Sequence, residues 1–94
     1  MTWVLVVHEV ADYTTWKAVF DDAAARRRAA GERAFQVLRA EHEPNRVVHF
    51  SEWVSLDDAR RFFHSPELEA IRAQAGVRAP QFLYLEEVDR GRLG

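Results

Sequence analysis

The feature that most constrains this chain is a set of short strands that are apolar on both faces. In the first, Trp3–Val10, side chains alternate between the two faces: Trp3, Leu5 and Val7 against Val4, Val6 and Val10. The segments Arg46–Val54 and Gln81–Val88 repeat the pattern. An antiparallel sheet with one face in water alternates apolar and polar residues instead. These strands therefore predict a sheet that is covered on both faces.

The predicted elements follow the order β-α-β-β-α-β. The predicted strands are Trp3–Val10, Ala34–Ala40, Arg46–Val54 and Gln81–Val88, with a turn at Glu41–Asn45 and a polar tail at Asp89–Gly94. A first helix begins after Asp12 and ends at Gly31. A second begins after Ser55, breaks at Ser65-Pro66 and closes at Gly76. With right-handed crossovers this order predicts an α+β, ferredoxin-like fold: a four-stranded antiparallel sheet with both helices on one face.

Two helices cover only one face of that sheet, so the other face needs a second layer. The simplest source is the same face of a second copy, related by a two-fold axis, which predicts a homodimer of the dimeric α+β barrel kind. The alternative is a different protein on this face. The 94 residues suffice for one domain, expected over 1–94. A domain of this size buries only about 60–65% of its unfolded surface, so association also supplements a thin core.

Composition excludes several functions. The chain has no cysteine, which removes disulfides, thiolate metal ligands and a cysteine nucleophile. Its net charge of −2 gives no reason to expect nucleic acid or an anionic membrane as a partner. The apolar run near the N-terminus is too short to span a bilayer and has no basic flank. The expectation is a soluble, cytoplasmic protein.

Three segments carry a family resemblance. They are the run His8–Asp21 (HEVADYTTWKAVFD), the pair Glu52-Trp53 followed by Ser55–Ala59 (SLDDA), and Ser65–Leu68 (SPEL). The first resembles the strand-to-helix opening of antibiotic-biosynthesis-monooxygenase-like proteins in the dimeric α+β barrel superfamily, and the others resemble its third strand and second helix. The resemblance covers nearly the whole chain. It implies the same fold and a pocket between the helices and the sheet of each subunit.

The superfamily includes cofactor-free oxygenases of polyketide phenols, heme-degrading enzymes, lactone isomerases, cyclases and members with no known activity, so the fold does not name the reaction. The leading hypothesis is a monooxygenase or cyclase that acts on a hydrophobic aromatic or polyketide-like substrate without metal, flavin or nicotinamide. The alternative is a non-catalytic dimeric protein that binds a small ligand or supports a partner enzyme. A third hypothesis is a heme-handling protein with another ligand, for example His64.

His8 is the first candidate for chemistry. It ends the first strand with the parity of Val4 and Val6, so its imidazole projects from an apolar face. An imidazole can accept or give a proton near neutral pH, which makes His8 a candidate general base. His49 is a second candidate, provided that its face also looks toward the helices. The structural alternative for each is a buried histidine that is hydrogen-bonded to its surroundings.

Four further residues are candidates for substrate binding: Ser51, Trp53, Phe62 and Tyr84. Ser51 and Trp53 share the parity of His49, and a few polar groups in an apolar wall are typical of a small-molecule pocket. Core packing is the alternative for the three aromatic residues.

Arg72 is a candidate because of what it replaces. In the heme-degrading relatives the iron ligand is a histidine on the second helix, and the corresponding offset from Trp53 falls on Arg72. Arginine does not ligate iron, so the resemblance argues against heme bound in that way. It can hold a phenolate or carboxylate instead, or form a surface salt bridge with Glu69. His8 and His49 without a third ligand fall short of a metal site.

Overall fold

The structure is a computed structural model that describes residues 2–94. Its elements are β1 (Thr2–Val10), α1 (Tyr13–Asp22), α2 (Ala24–Ala30), β2 (Glu32–Ala40), β3 (Glu43–Trp53), α3 (Leu56–Phe63), α4 (Pro66–Gln74) and β4 (Val77–Glu86). Within these residues, no helix combines the length and apolar character that crossing a membrane requires.

The four strands form one antiparallel sheet in the order β2-β3-β1-β4, with the helices on one face. The predicted ferredoxin-like α+β fold is confirmed. Asp12, Ser55 and Ser65 cap α1, α3 and α4 through side-chain oxygens that accept backbone N–H groups.

The predicted first helix is wrong in one respect, because it is two helices. The backbone of Ala23 leaves helical geometry at φ −88° and ψ 4°, and its N–H is shared between the carbonyls of Val19 and Phe20. This geometry ends α1 and starts α2 on a new axis. Gly31 then ends α2 at φ 128°, a left-handed backbone that suits glycine, and leads directly into β2.

The bounds of all four strands also differ from the prediction, and β1 begins one residue earlier, at Thr2. β2 begins at Glu32, β3 begins at Glu43 and ends at Trp53, and β4 spans Val77–Glu86 rather than Gln81–Val88. Pro44 does not interrupt β3, because it precedes the first residue of β3 that pairs with β1, Arg46, and lies beside an irregularity in the β2–β3 register.

The two sheet faces have different surroundings. On the helix-covered face, Val4, Val6 and Val47 are fully buried. The other face carries half-buried and exposed apolar side chains, among them Trp3 and Phe50, whose rings stack with centroids 4.9 Å apart. Leu83 on that face is 54% exposed. The sheet is apolar on both sides, as the sequence predicts, and the chain itself covers one of them.

Candidate functional site

A small cavity of about 60 Å³ lies between the helices and the covered face of the sheet. Its wall is mostly apolar, with four polar side chains: His8, His49, Arg27 and Arg72. The apolar lining comes from α1, α3 and α4, from the residues that follow α1 and α4, and from β4: Trp16, Val19, Phe20, Ala23, Phe62, Phe63, Leu68, Ile71, Ala75 and Val77. An apolar cavity with a few convergent polar groups is the usual form of a small-molecule site.

His8 projects from β1 into this cavity and is only 5% exposed. Its ring lies 5.5 Å from that of Trp16 on α1. The neighbouring strand is irregular here: the β1–β4 register passes from Val7–Gln81 to Glu9–Arg78, so His8 lies opposite a bulge. Among buried side-chain nitrogen and oxygen atoms of residues 2–94, His8 Nδ1 alone has no hydrogen-bond partner. A buried polar atom without a partner is rare, and the residue that carries it lines a cavity.

The charge state of His8 follows from its surroundings. Burial lowers its pKa to about 3, and the electrostatic effects of His49 and Arg72 act in the same direction. His8 is therefore neutral at physiological pH. A neutral imidazole has one nitrogen that accepts a hydrogen bond.

His49 belongs to a buried, hydrogen-bonded chain with Glu32 and Arg27. His49 projects from β3 beside His8, since their cross-strand partners are Val6 and Val47 respectively. Its Nε2 lies 2.7 Å from Glu32 Oε2, and Arg27 Nε donates to Glu32 Oε1 over 2.7 Å. Burial alone raises the pKa of the Glu32 carboxyl, but the hydrogen bonds and charges of His49 and Arg27 outweigh it and leave that pKa below its ordinary value. Glu32 is therefore an ionised carboxylate.

Arg72 lies on α4 with its guanidinium over the ring of Phe82, 5.2 Å from the ring centre. Its Nη1 donates a 2.6 Å hydrogen bond to the backbone carbonyl of Phe63. The salt bridge with Glu69, one of the two expectations for Arg72, is not among the ion pairs of residues 2–94. Arg72 instead lines the cavity and supplies a positive charge there.

Trp53 and Ser51 share the covered face with His49, as their parity predicts, but they lie outside the cavity. Trp53 Nε1 donates to Ser51 Oγ over 2.7 Å, and the indole ring packs against Phe62 and Phe63. Both are buried members of the core. Phe62 does line the cavity.

Tyr84 lies near the outer end of α3 rather than in the cavity. Its hydroxyl is 2.7 Å from His64 Nε2, and the guanidinium of Arg60 lies over its ring. Burial raises the pKa of the Tyr84 hydroxyl, although Arg60 and Arg72 act against that shift. Tyr84 and His64 therefore hydrogen-bond to each other and not to His8.

Sequence reasoning did not find Glu32 and Arg27. Arg27 is one of three consecutive arginines near a helix end, which is typical of a solvated segment, and Glu32 follows a glycine. The only available signal is their spacing across Gly31, which joins α2 to β2. Within residues 2–94, no three histidine, aspartate or glutamate side chains are grouped closely enough to hold a metal ion.

Chemically, the arrangement offers two imidazoles and two guanidinium groups in an apolar enclosure. Such a site can accept a proton or hydrogen bond from a hydroxyl and balance the anion that remains. It can also exclude water from that anion.

Comparison with known proteins assigns the chain to a family. The family model described as antibiotic biosynthesis monooxygenase matches residues 11–74, which is more than half of the chain. No curated protein matches the sequence.

Solved structures agree with the fold. SnoaB, a cofactor-independent oxygenase from Streptomyces nogalater, is 18% identical with a TM-score of 0.74, over 95% of this chain and 93% of that one. Rv0793 from Mycobacterium tuberculosis is 18% identical with a TM-score of 0.68, over 98% and 100%. A Caulobacter crescentus protein named as a candidate antibiotic biosynthesis monooxygenase is 23% identical with a TM-score of 0.72, over 94% and 90%. At these identities the likeness concerns the fold.

Proposed function

The chain belongs to the antibiotic biosynthesis monooxygenase family, and from this premise we propose that it is a cofactor-independent monooxygenase of hydrophobic aromatic substrates. The observation that carries the proposal is a buried histidine, His8, with an unpartnered Nδ1, in the wall of an apolar cavity. A phenolic or enolic hydroxyl is a group that can donate a hydrogen bond to the accepting nitrogen of this neutral imidazole. The family and the solved oxygenase SnoaB support the same reaction class.

In the proposed mechanism, His8 accepts the proton of the substrate hydroxyl. The pKa of about 3 makes the imidazolium costly in the empty cavity, so transfer requires the substrate anion to remain beside it. Arg72 lies on the same cavity wall and balances the anion. The aromatic rings of Phe62, Phe63 and Trp16 hold the substrate and exclude water.

The anion then has two routes, oxygenation or ring closure. In oxygenation, an electron-rich ring carbon forms a C–O bond with dioxygen, and the imidazolium of His8 returns its proton to the distal oxygen. The resulting hydroperoxide loses the hydrogen on that carbon and breaks its O–O bond, releasing water and leaving a quinone. The substrate supplies all four electrons, so no external reductant is needed. Ring closure of the same anion makes the protein a cyclase instead.

The size of the cavity limits how a substrate enters. An engineered cavity that takes up benzene measures about 150 Å³, whereas this one measures about 60 Å³. Val19, Ala23 and Ile71 form a wall common to the cavity and to an outer groove of about 180 Å³. We expect these side chains to move apart, so that one ring reaches His8 and the rest of the molecule occupies the groove.

The proposed active form is a homodimer. Trp3, Phe50 and Leu83 lie on the sheet face that the helices leave open. A second copy presents the same apolar face, so a two-fold axis covers both at once. The dimer excludes water from the sheet behind each site, because the strands that carry His8 and His49 are then covered on both faces.

A second candidate function is a non-catalytic small-ligand-binding protein. The observation in its favour is the small volume of the cavity, together with the hydrogen-bonded, core position of Trp53. Binding of an aromatic ligand without oxygen uptake or conversion is the outcome that distinguishes it.

The test is oxygen uptake by chelator-treated protein with one-, two- and three-ring phenols. We expect uptake with at least one of them, one dioxygen consumed per quinone formed, and loss of most of the rate in His8→Ala. His42→Ala is the matched control, because His42 is an exposed histidine away from the cavity. Absence of uptake with all the phenols, or an unchanged rate in His8→Ala, contradicts the proposal.

A further inference from the structure

Three buried polar side chains beside the cavity form a hydrogen-bonded chain that the proposed role of His8 does not use. They are His49, Glu32 and Arg27, which are 2%, 6% and 4% exposed. Glu32 uses both carboxylate oxygens: Oε2 lies 2.7 Å from His49 Nε2 and Oε1 accepts from Arg27 Nε at 2.7 Å.

Arg27 is itself fixed on several sides. Its guanidinium lies 3.6 Å from the centre of the Phe20 ring and also donates to the Phe20 backbone carbonyl. The left-handed Gly31 turns the chain from α2 to β2, which brings Arg27 and Glu32 together. The orientation of Glu32 therefore follows from the backbone and from an immobilised partner.

Stability alone is a poor reason for this arrangement. Burying a carboxylate and a guanidinium carries a desolvation cost, and well-packed apolar residues often stabilise a core as well or better. The surroundings are aromatic, with Phe20, Phe35 and Phe63 packed around His49. What the ionised pair adds to this apolar setting is a fixed hydrogen-bond acceptor at one nitrogen of His49.

That acceptor determines the tautomer of a neutral His49. An ionised carboxylate only accepts hydrogen bonds, so Nε2 must carry the proton of the imidazole. Nδ1 then has the free electron pair. Buried carboxylates orient histidines in this way in metal sites and in catalytic triads.

We propose that Glu32, held by Arg27, is a positioning residue that fixes His49 as the Nε2–H tautomer, so that Nδ1 accepts a hydrogen bond from a hydroxyl of the cavity ligand. This inference rests on the proposed function for the identity of that ligand. It gives the site two acceptors, His8 Nδ1 and His49 Nδ1, on neighbouring strands of one sheet face. A substrate with two hydroxyl groups, or one hydroxyl shared between the rings, matches them.

The experiment records ring nitrogen signals of ¹⁵N-histidine-labelled protein, with His49 assigned by its loss in His49→Gln. We expect the Nε2–H tautomer in the wild-type protein and an Nδ1 signal that shifts on titration with phenol. In Glu32→Gln, the amide can donate to Nε2, so we expect the Nδ1–H form to gain population and the response to phenol to weaken. Asp21→Asn is the matched control, since it makes the same change in the exposed Lys17–Asp21 pair.

A purely stabilising role of Glu32 leaves the response of His49 Nδ1 to phenol unchanged in a folded variant. A wild-type His49 with its proton on Nδ1 overturns the inference, and this result is decisive even if Glu32→Gln does not fold. A Glu32→Gln protein with unchanged tautomer and unchanged phenol response also overturns it.

Oxygen uptake separates this inference from the proposed function. If both hold, kcat falls by about 100-fold in Glu32→Gln, with a smaller change in KM and no change in Asp21→Asn. If the wild-type protein shows the expected tautomer and phenol response but consumes no oxygen, the monooxygenase proposal fails and the positioning role of Glu32 stands.

Discussion

Trp53 Nε1 donates a 2.7 Å hydrogen bond to Ser51 Oγ, two residues earlier on the same strand, and both side chains are buried. Ser51 Oγ is also 3.4 Å from the carbonyl oxygen of Val4 on the neighbouring strand, a longer contact. The indole ring is therefore fixed by one hydroxyl between the sheet and α3. The fixed indole ring packs against Phe62 and Phe63, which line the cavity.

We predict that Ser51→Ala destabilises the protein without closing the site. The substitution leaves the indole N–H buried without an acceptor, which costs about 1–3 kcal/mol of unfolding free energy. Denaturant titration measures this loss. Phenol binding by the folded variant should remain within a few-fold of wild type, because Ser51 lies outside the cavity. An unchanged unfolding free energy contradicts the structural role of the hydrogen bond.

The pKa of His8 predicts a pH dependence of stability. In the unfolded chain His8 titrates near 6.5, whereas in the folded protein its pKa is about 3. Below pH 6.5 the unfolded state therefore binds a proton that the folded state does not, and stability falls as the pH falls. As the pH falls toward 4.5, the slope of the unfolding free energy should approach about 1.4 kcal/mol per pH unit. Carboxylates dominate the pH dependence of stability only below this range.

Two variants isolate the contribution of His8 to this slope. His8→Gln should flatten the dependence between pH 6.5 and 4.5, and His42→Ala should leave it unchanged, because His42 is exposed in both states. Urea unfolding at several pH values gives the comparison. An equally steep slope in His8→Gln shows that the folded protein can protonate His8 freely, which is incompatible with the neutral, buried ring described above.

The bulge opposite His8 stores a local strain. Ala79 has φ +45°, a left-handed conformation that disfavours every residue with a Cβ atom. We predict that Ala79→Gly raises the unfolding free energy by about 0.5–1 kcal/mol, because relief of the strain exceeds the greater chain entropy of glycine. Ala70→Gly, in the exposed middle of α4, should instead lower it by about 1 kcal/mol. If both substitutions destabilise equally, the backbone at Ala79 is unstrained.

The proposed dimer is tested by a charge on the open sheet face. Leu83 is 54% exposed there, and a two-fold axis places two copies of it in the interface. Losing two buried leucines costs roughly 3–6 kcal/mol of association free energy, so Leu83→Lys should raise the dimer Kd by at least 100-fold in analytical ultracentrifugation. Val88→Lys is the control, since Val88 lies outside the sheet and is 95% exposed. A monomeric wild-type protein at micromolar concentration contradicts the interface.

Much of the fold was predictable because it depends on local patterns. Alternation in β1 placed Val4, Val6 and His8 on one face, and capping by Asp12, Ser55 and Ser65 marked where helices begin. The break at Ala23 was not predictable, since alanine favours the helix interior and carries no turn signal. The bulge at Ala79 and Pro80 shortened the predicted β4 for a related reason. Proline reads as the end of a strand when its partner strand is unknown.

The candidate site was predictable only in part, because it is assembled from distant segments. Parity grouped His8 with Val4 and Val6, and His49 with Ser51 and Trp53, but the register of β1 with β3 was needed to show that both groups share one face. The same parity also put Ser51 and Trp53 there, but it could not show that their own hydrogen bond keeps them in the core. Glu32 and Arg27 were not predicted, because each looks like a solvent-exposed charge in the sequence. Only the turn at Gly31, between α2 and β2, brings the two side chains together.

The most direct test of the account is a crystal structure of the protein with 1-naphthol bound. The account predicts the naphthol ring between the helices and the sheet, with its hydroxyl oxygen about 2.6–3.2 Å from His8 Nδ1. It also predicts that the walls at Val19 and Ile71 move apart to admit the ring. A ligand bound elsewhere, with His8 Nδ1 paired to a protein group in a closed cavity, contradicts it.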